Sequence, residues 1–118
     1  MRFMILLKAD GDFGFPPEEL FDAIGELGLQ AMGSGALVTA GGLMPPRHAA
    51  QVALADGEIT VNTGLEQPAG EAVVAYSIYD VRSLPEAVDE TRRFLEIHRE
   101  HWPTWNGRAE IRQIFSTA

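Results

Sequence analysis

The amino-acid sequence predicts an α+β fold in which two helices lie on one face of an antiparallel sheet. Three observations support this prediction. Short segments alternate apolar and polar residues with the period of a strand, two longer segments carry apolar residues at helical spacing, and an Asp-Gly pair separates two of the short segments. The 118 residues fit one domain spanning residues 1–118.

Composition narrows the classes of function. The net charge of −8 opposes binding to nucleic acid and to anionic membrane surfaces. The chain contains no cysteine, which excludes disulfides, thiolate nucleophiles and Cys-ligated metals. The apolar opening segment is interrupted at Lys8 and Asp10, too early for a signal core or a membrane span. We therefore expect a cytoplasmic protein without a nucleic-acid or membrane partner.

The chain begins with a predicted strand and a predicted helix. The strand covers residues 2–9 and is apolar on both faces. One face carries Phe3, Ile5, Leu7 and Ala9, and the other carries Met4 and Leu6. The helix opens at Pro16-Pro17, where proline is favoured, and the glycines at positions 33 and 35 end it.

A second strand and a hairpin follow. The strand covers residues 38–43 and stops at Pro45-Pro46, because proline cannot donate a ladder hydrogen bond. Residues 51–55 and 58–62 alternate in polarity on either side of Asp56-Gly57. An Asp-Gly pair in this context is the strongest short-range signal for a hairpin.

The last third of the chain predicts a strand, a helix and a final strand. The first of these strands covers residues 72–81 and is apolar on both faces. Ser83 and Glu86 match a capping box, so the helix starts there and continues to about His101. Its predicted stripe is Leu84, Val88, Thr91, Leu95, His98 and Trp102. The closing strand covers residues 109–115, with Phe115 on its core face.

The order of these elements is β-α-β, hairpin, β-α-β, which resembles a ferredoxin-like split arrangement with an inserted hairpin. Two helices cover only one face of a sheet. The strands over residues 2–9 and 72–81 are nevertheless apolar on both faces. The economical explanation is that a second copy of the chain covers the other face, so we expect a homodimer through the sheet faces.

Three segments resemble YCII-related proteins of the DGPF type. They are the opening MRFMILLKAD, the strand VTAGGL at residues 38–43 and the closing strand AEIRQIF at residues 109–115. The resemblance implies a ferredoxin-like fold that dimerises through its sheets as a dimeric α+β barrel, with a cleft near the interface. Most family members have no assigned activity. Some relatives with this fold catalyse cofactor-free isomerisation or elimination on small cyclic molecules.

The sequence departs from the family pattern at two places. The Asp-Gly-Pro-Phe stretch of the family aligns with residues 63–66, where only Gly64 is retained. The family often carries a polar residue, commonly histidine, at the position of Met44. Both departures remove polar groups that would otherwise be carried over as site residues.

His98 and His101 lie three residues apart on the second predicted helix, a spacing that places both on one side. With Glu100 nearby, they could form a metal site. The alternative is that His98 is a hydrogen-bonded core residue, because it continues the apolar stripe. Only two imidazoles converge and Glu100 points elsewhere, so we expect neither a metal nor another cofactor.

Trp102 and Trp105 follow this helix on either side of Pro103. They could wall an aromatic-lined ligand pocket, or they could cap the core where the helix ends. Both interpretations are compatible with the sequence.

Charged residues on two strands are further candidates for a site. Glu110 and Arg112 lie two apart on the closing strand and share a face, either as an edge ion pair or as a cleft pair that binds an anion. Asp10 ends the first strand beside a glycine-containing loop, either as a turn residue or as a general base.

Two functional hypotheses follow. In the first, the protein binds a small organic ligand in a cleft near the dimer interface, with Trp102, Trp105 and Glu110 as ligand-binding residues. In the second, it is a cofactor-free isomerase or lyase that acts by proton transfer on a small cyclic or carboxylated molecule. Its base would be Asp10 or His101, and Arg112 would stabilise the anion.

Overall fold

The computed structural model describes residues 1–10, 15–66 and 70–116, with Asp10 described in its backbone only. Its elements in chain order are β1 (Arg2–Asp10), α1 (Glu18–Gly33), β2 (Leu37–Gly42), β3 (Ala50–Ala55), β4 (Glu58–Thr63), β5 (Glu71–Asp80), α2 (Leu84–His101) and β6 (Gly107–Gln113). These elements agree with the predicted order. A 3-10 turn at Pro46–His48 is additional. Most of the predicted loop, residues 11–14, lies outside the described residues.

Four strands form one sheet in the order β2-β5-β1-β6, and each neighbouring pair is antiparallel. The strands β3 and β4 form a separate two-stranded hairpin. Its turn has positive φ at both Asp56 and Gly57, as the predicted Asp-Gly turn requires. The α+β prediction is confirmed, and the strand order is compatible with a ferredoxin-like arrangement.

The core lies between the helices and one face of the sheet. Phe3, Ile5, Leu7 and Ala9 of β1 are buried on this face, as the alternation predicts. Both helices contribute to the core through Ala31 of α1 and Ala87 of α2. On the other face, Met4 and Leu6 are only half-buried.

The cap of α2 follows the predicted capping box. The backbone N–H of Glu86 donates to Oγ of Ser83 at 3.3 Å. The Glu86 carboxylate in turn accepts from the backbone N–H of Arg82 at 2.9 Å. The first bond satisfies an N–H group of the opening turn of the helix, and the second satisfies the N–H group of the residue before the cap. Within the described ranges, neither helix combines the length and the apolar content needed to cross a bilayer.

Two predicted burial patterns are wrong. Phe115 is 87% exposed, because β6 already ends at Gln113 and no ladder holds Phe115 against the core. Leu84 and Val88 are also exposed, since Leu84 begins α2 and Val88 borders an open groove between α2 and β6. The buried side of α2 is formed by Ala87, Thr91 and His98.

Candidate functional site

A cavity of about 610 Å³ lies between the helices and the helix-facing side of the sheet. Small residues form much of its floor. These are Ala40, Gly42, Ala72, Ala75 and Ala109, which the strand register places on the helix-facing side. On α1, a Cβ added at Gly28 would meet no atom within 4 Å. The cavity therefore exists because small residues face each other across the core.

Aromatic rings form one end of this cavity. The imidazole of His98 lies 4.6 Å from the ring of Phe94 and 4.6 Å from that of Trp105, measured between ring centroids. Trp102 and Trp105 are stacked with a centroid distance of 6.3 Å. All four side chains line the cavity. Their flat surfaces suit an apolar or aromatic ligand.

Gly107 holds Trp105 in place. A Cβ at position 107 would collide with the indole ring of Trp105 and would lie 2.8 Å from the carbonyl oxygen of Lys8. Only glycine therefore lets the ring rest against the backbone where β6 begins. The position of Trp105 in the cavity wall depends on the absence of this one side chain.

His98 is the most buried polar residue of the cavity wall, with 5% of its surface exposed. Its Nδ1 lies 2.8 Å from the carbonyl oxygen of Phe94. Because a carbonyl oxygen only accepts, Nδ1 carries the hydrogen of the neutral ring and Nε2 carries a lone pair. Burial lowers the pKa of His98 below its usual value, although the bond to the Phe94 carbonyl opposes this shift.

The Nε2 atom of His98 has no hydrogen-bond partner among the described residues. Among the described residues, every buried side-chain nitrogen or oxygen atom has a hydrogen-bond partner. Because Nε2 has no partner, it is not buried and must contact the open space of the cavity. The structure thus places a fixed hydrogen-bond acceptor in an apolar chamber.

Four side chains with hydroxyl groups also belong to the described lining, namely Tyr76, Ser77, Tyr79 and Thr91. The hydroxyl of Thr91 is already used, since it donates to the carbonyl oxygen of Ala87 at 2.8 Å. Ser77 and Tyr79 also contribute to the wall, and burial raises the pKa of Tyr79, with the charge of Glu90 acting in the same direction. No lysine, arginine, aspartate or glutamate belongs to the lining in the described residues.

The predicted tryptophans lie in the cavity wall, whereas the predicted charged pair does not. Glu110 pairs across the ladder with Leu6, and both face away from the helices. The Glu110 carboxylate lies 3.1 Å from Nζ of Lys8 and 3.1 Å from the guanidinium of Arg112. Hydrogen bonds from these two cations lower the pKa of Glu110, and the bond from Lys8 has the larger effect. The sheet therefore separates Arg112 from Trp102 and Trp105.

Asp10 and His101 are the two predicted bases. His101 is half-buried at the end of α2 and does not line the cavity. The side chain of Asp10 lies outside the described residues. The placement of Asp10 as a candidate base therefore stays a prediction, and the described cavity lining includes neither His101 nor Arg112. The sequence predicts His98 only as a core or metal residue and does not predict its open acceptor. The four-residue spacing from Phe94 is the available signal for its backbone bond.

The described part of the chain contains no group of three or more His, Cys, Asp or Glu residues arranged to hold a metal ion. His98 lines the cavity, where its ring makes a tilted contact with the ring of Trp105. His101 lies outside the cavity lining, at the end of the same helix.

Comparison with known proteins adds no family assignment. No family model matches the sequence, and a search of the curated proteins finds no match. The resemblance to YCII-related proteins remains a prediction that rests on the three segments quoted above.

Proposed function

We propose that this protein binds a small organic molecule in the cavity between its helices and its sheet. The observation that carries the proposal is the cavity itself, about 610 Å³ in volume and walled mainly by apolar and aromatic side chains. Ligand sites in proteins are typically concave, mostly apolar chambers of about 300–1,000 Å³ with a few polar groups. His98 supplies such a polar group here.

The apolar wall of this cavity is open to water at its rim, where Phe21, Leu43 and Met44 are 59%, 50% and 69% exposed. Exposed apolar surface of this kind often marks a ligand site. A ligand would displace water from the wall residues, among them Leu20, Phe94 and Trp105. The small residues of the floor leave the space that such a ligand needs.

Two glycines of α1 allow a matched test. Gly28 lines the cavity and Gly25 is exposed outside it, and an added Cβ at either position meets no atom within 4 Å. We expect Gly28→Phe to weaken binding of the neutral probe N-phenyl-1-naphthylamine by tenfold or more, and Gly25→Phe to leave it within about twofold. The enhancement of probe fluorescence gives the affinity. Equal effects of both variants, or no binding by wild type, would refute the proposal.

We also propose that the protein forms a homodimer through its sheet faces, as a dimeric α+β barrel. The support is the face of the sheet turned away from the helices. It carries the half-buried side chains Met4, Leu6, Tyr76 and Ile78, and no described element of the chain covers it. A second copy would remove this apolar surface from water.

The hairpin supports the same proposal. Val52 faces Val61 and Leu54 faces Ile59 across the ladder, and each of these side chains is at least 63% exposed. An isolated two-stranded hairpin is at best marginally stable in water. Its apolar face therefore needs a covering partner, and a second copy offers one in a two-fold symmetric arrangement.

A second candidate function is cofactor-free proton transfer on a small cyclic or carboxylated molecule. One observation favours it: the neutral imidazole of His98, with Nε2 open to an apolar chamber, is a suitable proton acceptor. Exchange of an acidic carbon-bound hydrogen of a bound ligand in D2O would distinguish catalysis from binding. Exchange that is lost in His98→Phe would favour the enzyme, and binding without exchange would favour the binding protein.

A further inference from the structure

We infer that the ligand of this cavity is an uncharged aromatic molecule bearing a hydroxyl group, whose O–H donates a hydrogen bond to Nε2 of His98. This inference rests on the proposed function, because it names the chemical class that the same cavity would select. It follows from three properties of the described wall: a fixed acceptor, flat aromatic surfaces and the absence of charge.

The acceptor is fixed in direction. The bond from Nδ1 to the Phe94 carbonyl sets the tautomer of His98, and the rings of Phe94 and Trp105 hold the imidazole at centroid distances of 4.6 Å. The residue as a whole exposes only 5% of its surface, and its Nε2 contacts the open space of the cavity. A rigid acceptor in this position favours a ligand that donates a hydrogen bond, because an apolar ligand would displace water from Nε2 and leave it without a partner.

The shape of the wall favours an aromatic ring. Trp102 and Trp105 are nearly parallel, with an interplanar angle of 25°. His98 meets Trp105 at 41°, and all three rings belong to the cavity lining beside the acceptor. Offset or edge contacts with such surfaces favour an aromatic ring over an aliphatic group of equal area.

The electrostatics of the wall disfavour ions. No charged side chain lines the cavity in the part of the chain that the structure describes, and the net charge of the whole protein is −8. A carboxylate or phosphate would lose its hydration without gaining a counter-charge. Two cations of the described sheet, Lys8 and Arg112, pair with Glu110. They lie on the opposite face of the sheet and cannot provide a counter-charge in the cavity.

Calorimetric titration with 1-naphthol and naphthalene tests the inference, since these probes differ by one hydroxyl group. We expect wild type to bind 1-naphthol at least tenfold more tightly. His98→Phe keeps an aromatic ring between Phe94 and Trp105 but has no acceptor, so it should lose most of the preference for 1-naphthol over naphthalene. The Phe94 carbonyl still accepts its helical bond in this variant.

The outcomes separate the inference from the proposed function. If wild type binds both probes equally, or if His98→Phe retains the preference, the inference is wrong and the binding function stands. If neither probe binds although N-phenyl-1-naphthylamine does, the inference is wrong and the binding function stands; if none of the three binds, both are wrong. Should His98→Phe fail to fold, nitrogen-15 NMR of wild type decides: 1-naphthol should shift the Nε2 resonance of His98 and naphthalene should not, and equal shifts would refute the inference.

Discussion

The imidazole of His98 lies against the indole of Trp105, with 4.6 Å between ring centroids and an interplanar angle of 41°. This contact joins the last turn of α2 to the segment that leads into β6. It also fixes the aromatic end of the cavity, because Trp105 in turn rests on the backbone at Gly107. One structural unit thus includes His98 of α2, Trp105 of the following segment and Gly107 of β6.

Replacement of Gly107 by alanine should disturb this unit. The added methyl group would occupy space held by the Trp105 ring and would press on the carbonyl oxygen of Lys8. We expect Gly107→Ala to lower the free energy of unfolding by about 1–3 kcal/mol, as overpacking usually does. The tryptophan emission should also change, because the ring must leave its present position. Urea unfolding followed by fluorescence measures both effects.

The control for this variant is Gly25→Ala on α1. A Cβ at Gly25 meets no atom within 4 Å, and glycine in a helix costs about 0.5–1 kcal/mol relative to alanine. The control should therefore raise stability, opposite in sign to Gly107→Ala. A Gly107→Ala protein with wild-type stability and emission would contradict the proposed role of Gly107.

The buried imidazole predicts a dependence of stability on pH. The pKa of His98 is lowered in the folded protein from a usual value of 6.5. As the pH falls below 6.5, the unfolded chain binds a proton before the folded one does, so the free energy of unfolding should decrease. The decrease should stop once the folded-state pKa of His98 has been passed. Urea unfolding at a series of pH values measures this curve.

His98→Phe provides the comparison, because it removes this titration and retains His48 and His101. The difference between the two stability curves should be flat above pH 6.5 and should change below it. The carboxylate of Glu110 acts in a lower range, since its pKa is lowered from 4.5 and its contribution is lost only as the pH falls further. Parallel curves for the two proteins would show that burial of His98 does not perturb its titration.

Much of this fold follows directly from the sequence. The alternation of β1, the Asp-Gly turn and the Ser83 cap each depend on interactions between residues close in sequence or on a period of two, and all three are confirmed. The bounds of β6 do not follow in the same way. The apolar residues Ile114 and Phe115 continue the pattern, but the ladder to β1 ends at Gln113 and leaves Phe115 exposed.

The site was less predictable from the sequence, because a cavity forms where side chains from separate elements fail to fill the space between them. Ala40, Ala75 and Gly28 come from three separate elements, and each residue alone is ordinary. Only their convergence in the fold leaves the space unfilled. The tryptophans could be selected from sequence by their size and position after α2. The pairing of Arg112 with Glu110 could also be predicted. That this pair and Trp105 lie on opposite faces of the sheet becomes clear only from the strand register.

Arg112→Lys should leave the cavity unaffected. The Arg112 side chain is 70% exposed and lies across the sheet from the cavity, paired with Glu110. We expect wild-type affinity for 1-naphthol and an unchanged midpoint of urea unfolding, because exposed ion pairs contribute little. Calorimetry and denaturation measure these quantities. A small carboxylate that binds wild type but not the variant would instead support the anion site predicted from the sequence.

The last prediction concerns the hairpin and the proposed dimer. Ile59 belongs to the apolar face of β4 and is 70% exposed, whereas its neighbour Thr60 points to the opposite face, where it pairs with Ala53. Ile59→Lys should prevent association, because burial of an unpaired ammonium group is costly. Thr60→Lys adds the same charge at the adjacent residue and should not.

Light scattering coupled to size exclusion measures this difference. Wild type and Thr60→Lys should have twice the chain mass of 12.9 kDa at micromolar concentration, and Ile59→Lys should have the mass of one chain. A wild-type monomer would contradict the dimer itself. A dimer that persists in Ile59→Lys would contradict only the role of the hairpin, and would leave the sheet face with Met4 and Leu6 as the contact surface. The hairpin would then need another partner, because its exposed apolar face would still lack a cover.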